Sequence, residues 1–85
     1  MTNANTAKEM VKAYEEAINA KRLAEAQDMV ERIDVNIVER ATRGHNFYDF
    51  GLNGWDKRVT EMAAEIIVEA GYTIRFNGNY LRIEW

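Results

Sequence analysis

The stretch Gly71-Tyr72-Thr73-Ile74-Arg75-Phe76-Asn77-Gly78-Asn79-Tyr80-Leu81-Arg82-Ile83-Glu84-Trp85 decides the fold. Tyr72, Ile74 and Phe76 alternate with Thr73 and Arg75 before Asn77-Gly78, and Leu81, Ile83 and Trp85 alternate with Arg82 and Glu84 after it. Period-two alternation on both sides of a two-residue turn signal predicts a β-hairpin. An Asn-Gly loop suits a type I′ turn, in which both central residues take positive φ. Counting outward from that loop sets Phe76 opposite Asn79, Arg75 opposite Tyr80, Ile74 opposite Leu81, Thr73 opposite Arg82 and Tyr72 opposite Ile83. The apolar side chains then gather on one face. Trp85 is expected to share it, so that the chain ends inside its own core.

Upstream of the hairpin, Trp55, Val59, Met62, Ala63, Ile66, Ile67 and Ala70 trace one wide helical stripe. Asn53 is its expected N-cap, with Asp56 in the capping-box position and Gly71 ending the helix. Before it, Phe47 to Leu52 reads as a short strand, with Tyr48, Phe50 and Leu52 on one face and Phe47, Asp49 and Gly51 on the other. A strand-helix-strand unit predicts a right-handed crossover and parallel alignment of its two strands, with the third strand antiparallel to the second. One small mixed sheet of three strands with helices on one face follows, an α+β fold.

The N-terminal half is helical. Thr6-Ala7-Lys8-Glu9 matches a capping box, and Gly44 after Arg43 supplies a stop. Two apolar stripes lie between them: Ala7, Met10, Val11, Tyr14 and Ile18, then Leu23, Ala26, Val30, Ile33, Ile37 and Ala41. At 100° per residue they are out of phase. Either the helix breaks near Asn19 to Arg22, or one long helix shows two faces. Neither Pro nor Gly interrupts the segment, which favours continuity. A helix from Thr6 to Arg43 would be about 55 Å long, more than a domain of this size covers. Continuity therefore predicts a homo-oligomer, with Val30, Ile33, Ile37 and Ala41 meeting another chain in a symmetric dimer.

The 85 residues bound a single domain, divided into a helical region (6–43) and a β-α-β-β unit (44–85). Folding at this length buries only about 60 to 65% of the extended-chain surface. The 47% hydrophobic and 29% charged composition is that of a globular chain, without an apolar run of membrane-spanning length. Met1 to Asn5 lacks the basic start and apolar centre of a secretion signal, so the expected location is cytoplasmic. Cysteine is absent, which removes disulfides, thiolate catalysis and Cys-based zinc sites. A net charge of -3 weighs against general affinity for nucleic acid.

No set of residues spells a catalytic, cofactor or metal site. His45, the one histidine, follows a helix-ending Gly near Tyr48 and Asp49, where a solvated loop residue is the simpler reading. Glu61, Glu65 and Glu69 form a row that suits the wet face of a helix better than a cation site. Arg75 and Arg82 with Phe47 and Tyr80 are the candidates for partner binding, because a sheet with helices on one face leaves its other face open. A protein partner is the first expectation. The alternative is a nucleic-acid binder in which the last helix and hairpin resemble a recognition helix and wing, with Tyr80 stacking on a base. Against it, Asp56, Glu61, Glu65 and Glu69 outweigh Lys57 and Arg58 on that helix.

The start Thr6-Ala7-Lys8-Glu9-Met10, the helix end at Ile37-Val38, Ala41 and Gly44, Gly71-Tyr72 with Ile74, and the closing Leu81-Arg82-Ile83-Glu84-Trp85 resemble small uncharacterised proteins of tailed bacteriophages. Such proteins have a helical N-terminus, a Gly-Tyr strand and a terminal hairpin closed by Trp. The resemblance implies no catalytic residues. It implies a non-enzymatic interaction protein that works in the host cytoplasm by binding a host or phage protein; the long helix adds that it does so as an oligomer.

Overall fold

A computed structural model describes all residues from Met1 to Trp85. The order is α1 (Ala4–Thr42), β1 (Phe47–Gly51), α2 (Lys57–Glu69), β2 (Thr73–Asn77) and β3 (Tyr80–Glu84). The fold is α+β, and the N-terminal segment is one unbroken helix of 39 residues. It begins earlier than the Thr6 signal implies. Asn3 is the N-cap, its Oδ1 accepting from the Thr6 N–H at 2.9 Å, so Thr6 lies in the first turn. The other end is a Schellman motif: the Gly44 N–H donates to the Ala41 carbonyl, the His45 N–H to the Arg40 carbonyl, and Gly44 takes φ +83°.

β3 is the central strand. The sheet order is β1-β3-β2 and both pairings are antiparallel. β1 and β2 do run in the same direction, but β3 lies between them, so the expected mixed sheet is instead wholly antiparallel. The hairpin also differs by one residue at its turn. Asn77 pairs with Tyr80, Phe76 with Leu81 and Ile74 with Ile83, which makes Gly78-Asn79 the loop. Gly78 has φ +60° and no non-glycine residue has positive φ. Gly at the first central position suits a type II′ turn, and this spares Asn77 the left-handed conformation that a type I′ turn demands.

α2 starts at Asp56 rather than Asn53. The Asp56 Oδ1 accepts from the N–H groups of Arg58 at 2.8 Å and Val59 at 3.2 Å. Asn53 belongs instead to a turn closed by the Trp55 N–H on the Leu52 carbonyl, with Gly54 at φ +86°. Val59, Ala63 and Ile67 then face inward, as the stripe predicts.

The core is one cluster: Ala26, Met29, Ile33 and Ile37 from α1, Val59, Ala63 and Ile67 from α2, Leu81 and Ile83 from β3. α1 lies toward β1 and α2 toward β2. On the β1 side, Tyr48, Phe50 and Trp55 form a row of rings with centroids 6.5 and 5.9 Å apart. Two guanidiniums of α1 cover it, Arg32 at 5.7 Å from the Trp55 ring and Arg40 at 5.6 Å from Tyr48. Burial pushes the Tyr48 hydroxyl pKa up, and Arg40 partly offsets this.

Two expectations about burial are overturned. Ile33 and Ile37, expected at an oligomer interface, are buried in the chain's own core; Val30 packs half-buried against it, and Ala41 is exposed. The core stripe keeps Ala26 and adds Met29, whereas Leu23 turns outward. Trp85 is not enclosed either. It stands edge-on to Tyr72 at 6.3 Å and remains 39% exposed, because it lies past the last strand and only its backbone N–H is held, by the Asn46 carbonyl.

What the core leaves uncovered is most of the first half of α1. The molecule measures 64 × 23 × 17 Å, with a radius of gyration of 17.2 Å against about 12 Å for a compact chain of this length. Met10, Val11 and Tyr14 are 62, 56 and 66% exposed.

Urea melts of three variants check the core and the turn. Ile33→Ala is expected to cost about 2 to 5 kcal/mol and Trp85→Ala about 1 to 3 kcal/mol, in proportion to burial. Gly78→Ala, with open space around it but φ +60°, is expected to cost about 1 to 2 kcal/mol. Equal losses for Ile33→Ala and Trp85→Ala would contradict the described core.

Candidate functional site

All four residues that the sequence singles out for partner binding, Phe47, Tyr80, Arg75 and Arg82, lie on the sheet face away from the helices. Alternation puts them there. Leu81 and Ile83 point into the core, so Tyr80, Arg82 and Glu84 point out, with Phe47 and Asp49 of β1 on one flank and Thr73 and Arg75 of β2 on the other.

The register creates an electrostatic problem on this face and solves it. Arg75 is directly opposite Arg82, and like charges so placed repel. Each arginine has its own carboxylate. Arg82 donates from Nε to Asp49 Oδ1 at 2.8 Å and from Nη2 to Oδ2 at 3.0 Å, a bidentate pair across β1 and β3. Arg75 Nε sits 3.4 Å from Glu84 Oε1. The Arg82 guanidinium also lies 4.5 Å from the centroid of the Phe47 ring. Asp49 and Glu84 are the outer-face residues that the sequence does not single out. Alternation puts Asp49 on the same face as Phe47, but only the β1–β3 register brings it to Arg82.

Hydrogen bonding from Arg82 is the main reason that the Asp49 carboxyl pKa falls below its ordinary value, with Arg82 and Arg40 charge adding to it and desolvation opposing. The Arg82 pKa rises correspondingly, chiefly through the same bond. The two arginines and two carboxylates cancel, so the face is neutral and ordered. At its far end Tyr80 is 54% exposed opposite Gly51, which offers no side chain to cover the ring.

Elsewhere the chemistry-bearing residues stay apart. His45 is exposed in the α1–β1 loop, and Glu61, Glu65 and Glu69 point to solvent along α2. No group of three or more His, Asp or Glu side chains converges to hold a metal ion. An open groove of about 460 Å³ between the Leu52–Trp55 turn, the start of α2 and the hairpin tip is lined by Leu52, Trp55 and Phe76 with Lys57, Thr60 and Glu61. The Thr60 hydroxyl at its edge donates to the Asp56 carbonyl at 3.0 Å. No helix is long and apolar enough to cross a membrane.

The Asp49–Arg82 pair makes a pH prediction. A carboxylate whose folded pKa is depressed stabilises the fold at all pH values above its unfolded pKa, and the contribution is lost as pH falls through the folded pKa. The NMR-detected titration of Asp49 is therefore expected to have its midpoint below 3.8 in the native chain and to move up in Arg82→Gln. An unchanged midpoint in that variant would show that the pair does not hold in solution.

No family model matches this chain, and neither a curated protein nor a solved structure matches it.

Proposed function

We propose that this chain is a non-enzymatic interaction protein, of the phage-encoded kind that its sequence resembles. It binds a host or phage protein through the outer face of its sheet, works in the host cytoplasm and assembles as an oligomer. The observation that carries this reading is the neutral, pre-ordered patch of Phe47, Asp49, Arg82, Arg75, Glu84 and Tyr80. Arg82 is held by two hydrogen bonds and a ring before any partner arrives, so little side-chain entropy remains to be lost on docking. Exposed aromatic and arginine side chains are the types that dominate protein interfaces.

The alternative, nucleic-acid binding, fits this face less well. Phosphate contacts need cations free to replace counterions, and here both arginines already face carboxylates. Tyr80 alone offers a stacking surface.

The test is affinity capture with the native chain, with Tyr80→Glu and with Phe47→Ala plus Arg82→Ala, each checked for folding by circular dichroism. One discrete protein partner retained by the native chain and lost from both variants is the expected result. Salt-dependent retention of DNA or RNA by the native chain, lost in Tyr80→Glu, would replace the reading with the nucleic-acid one. Identical retention by all three would place the binding surface elsewhere.

A further inference from the structure

The first half of α1 carries an apolar stripe with nothing over it. Ala4, Ala7, Val11, Tyr14 and Ile18 recur at alternate spacings of three and four, with Met10 and Ala17 beside them. That is the heptad pattern of a two-stranded seam. Ile18 is half-buried, and the other six are exposed. The domain's own cover begins just beyond, where Asn19 and Arg22 approach Lys57, Arg58 and Met62. Met29, eighteen residues and five turns beyond Val11 on the same side of the helix, is fully buried. The seam therefore continues the core face out past the end of the core.

We propose that the occupant of this seam is the same segment of a second copy, running antiparallel, with Val11 against Tyr14 of the partner subunit. This inference rests on the reading of the chain as an oligomeric interaction protein and specifies how it assembles.

Charge and length both select this arrangement. In an antiparallel pair with Val11 facing the partner's Tyr14, Ala7 faces the partner's Ile18, and Lys8 comes beside the partner's Glu15 at both symmetric positions. Lys8 and Glu15 have no ion-pair partner within the chain, unlike Asp28–Arg32 and Glu39–Arg43 farther along the same helix. Met10 would meet the partner's Ala17, extending the apolar contact. A parallel pair would instead set Glu15 beside the partner's Met10 and gain no charge complementarity. The overlap runs from Ala4 to Lys21, the stretch between the Asn3 cap and the start of the domain. Sliding one heptad inward would drive the partner's cap toward Met29, which the domain already covers. Sliding one heptad outward would leave Ile18 unpaired. Only one register uses all of the stripe.

The experiment reads molecular mass by sedimentation equilibrium, from micromolar to millimolar concentration, on the native chain, Lys8→Glu, Glu15→Lys and an equimolar mixture of the two variants. Both positions are exposed, so the fold of the domain is not at risk, and circular dichroism confirms it. The native chain is expected to approach twice the 9.8 kDa monomer mass. Each variant alone places like charges together and is expected to weaken association about tenfold or more, and the mixture to restore it as a heterodimer. A native chain that stays monomeric would overturn both this pairing and the oligomeric part of the proposed function. A dimer equally stable in Lys8→Glu would overturn the antiparallel seam alone, and leave the assembly to another surface or a parallel pair.

Discussion

The molecule depends on the burial of one strand face. Leu81 and Ile83 of β3 are fully enclosed because β1 and β2 flank the strand on both edges and two helices lie above it. Three strands of five residues each have too little apolar surface to stand alone. The sheet therefore needs Ala26, Met29 and Ile33 from α1 and Val59, Ala63 and Ile67 from α2, all at most 3% exposed. The short links around this layer serve the same end. Schellman motifs after Arg43 and Ala70 turn each helix directly into a strand, the second with the Gly71 N–H on the Val68 carbonyl and the Tyr72 N–H on that of Ile67.

Two open surfaces follow from covering only one side. The outer sheet face cannot be apolar, because nothing lies over it, and its opposed arginines can coexist only with Asp49 and Glu84 interleaved. The same carboxylates that stabilise the face cancel its charge and leave neither arginine there without a counter-charge. The second surface arises from length. α1 is about 58 Å long, and the sheet and α2 reach only its C-terminal half. The uncovered half retains a heptad stripe, which a solitary helix in water has no reason to carry.

The fold was largely legible because the relevant signals are periodic. Moving the hairpin loop from Asn77-Gly78 to Gly78-Asn79 shifts every cross-strand pair by two residues, and two is the period of a strand. The face assignment of Ile74, Leu81 and Arg82 therefore survived the wrong turn. The caps were less legible. Asn3 and Thr6, or Asn53 and Asp56, are equally good N-cap residues, and what chooses between them is the surrounding turn, such as Gly54 at positive φ. The uncovered sheet face was legible by elimination, whereas its Asp49–Arg82 pairing depends on strand order, which the hairpin alone does not fix. The second stripe of α1 was less legible for a specific reason. Leu23 faces solvent, and Ile33 and Ile37 share the core face with Met29, which no short-range spacing links to Val11.

In the proposed assembly α1 is one continuous helix, held by the core in its second half and by another copy of the chain in its first. Backbone amide hydrogen exchange resolved along α1, measured at low and high protein concentration, reads the two supports separately. Amides from about residue 26 to 37 should exchange only through global unfolding at either concentration. Those from about 7 to 18 should exchange readily when dilute, through fraying of an unsupported helix, and slow markedly when concentrated. Strong protection of the first half that does not change with concentration would rule out this assembly, since it would mean that the segment is covered within its own chain.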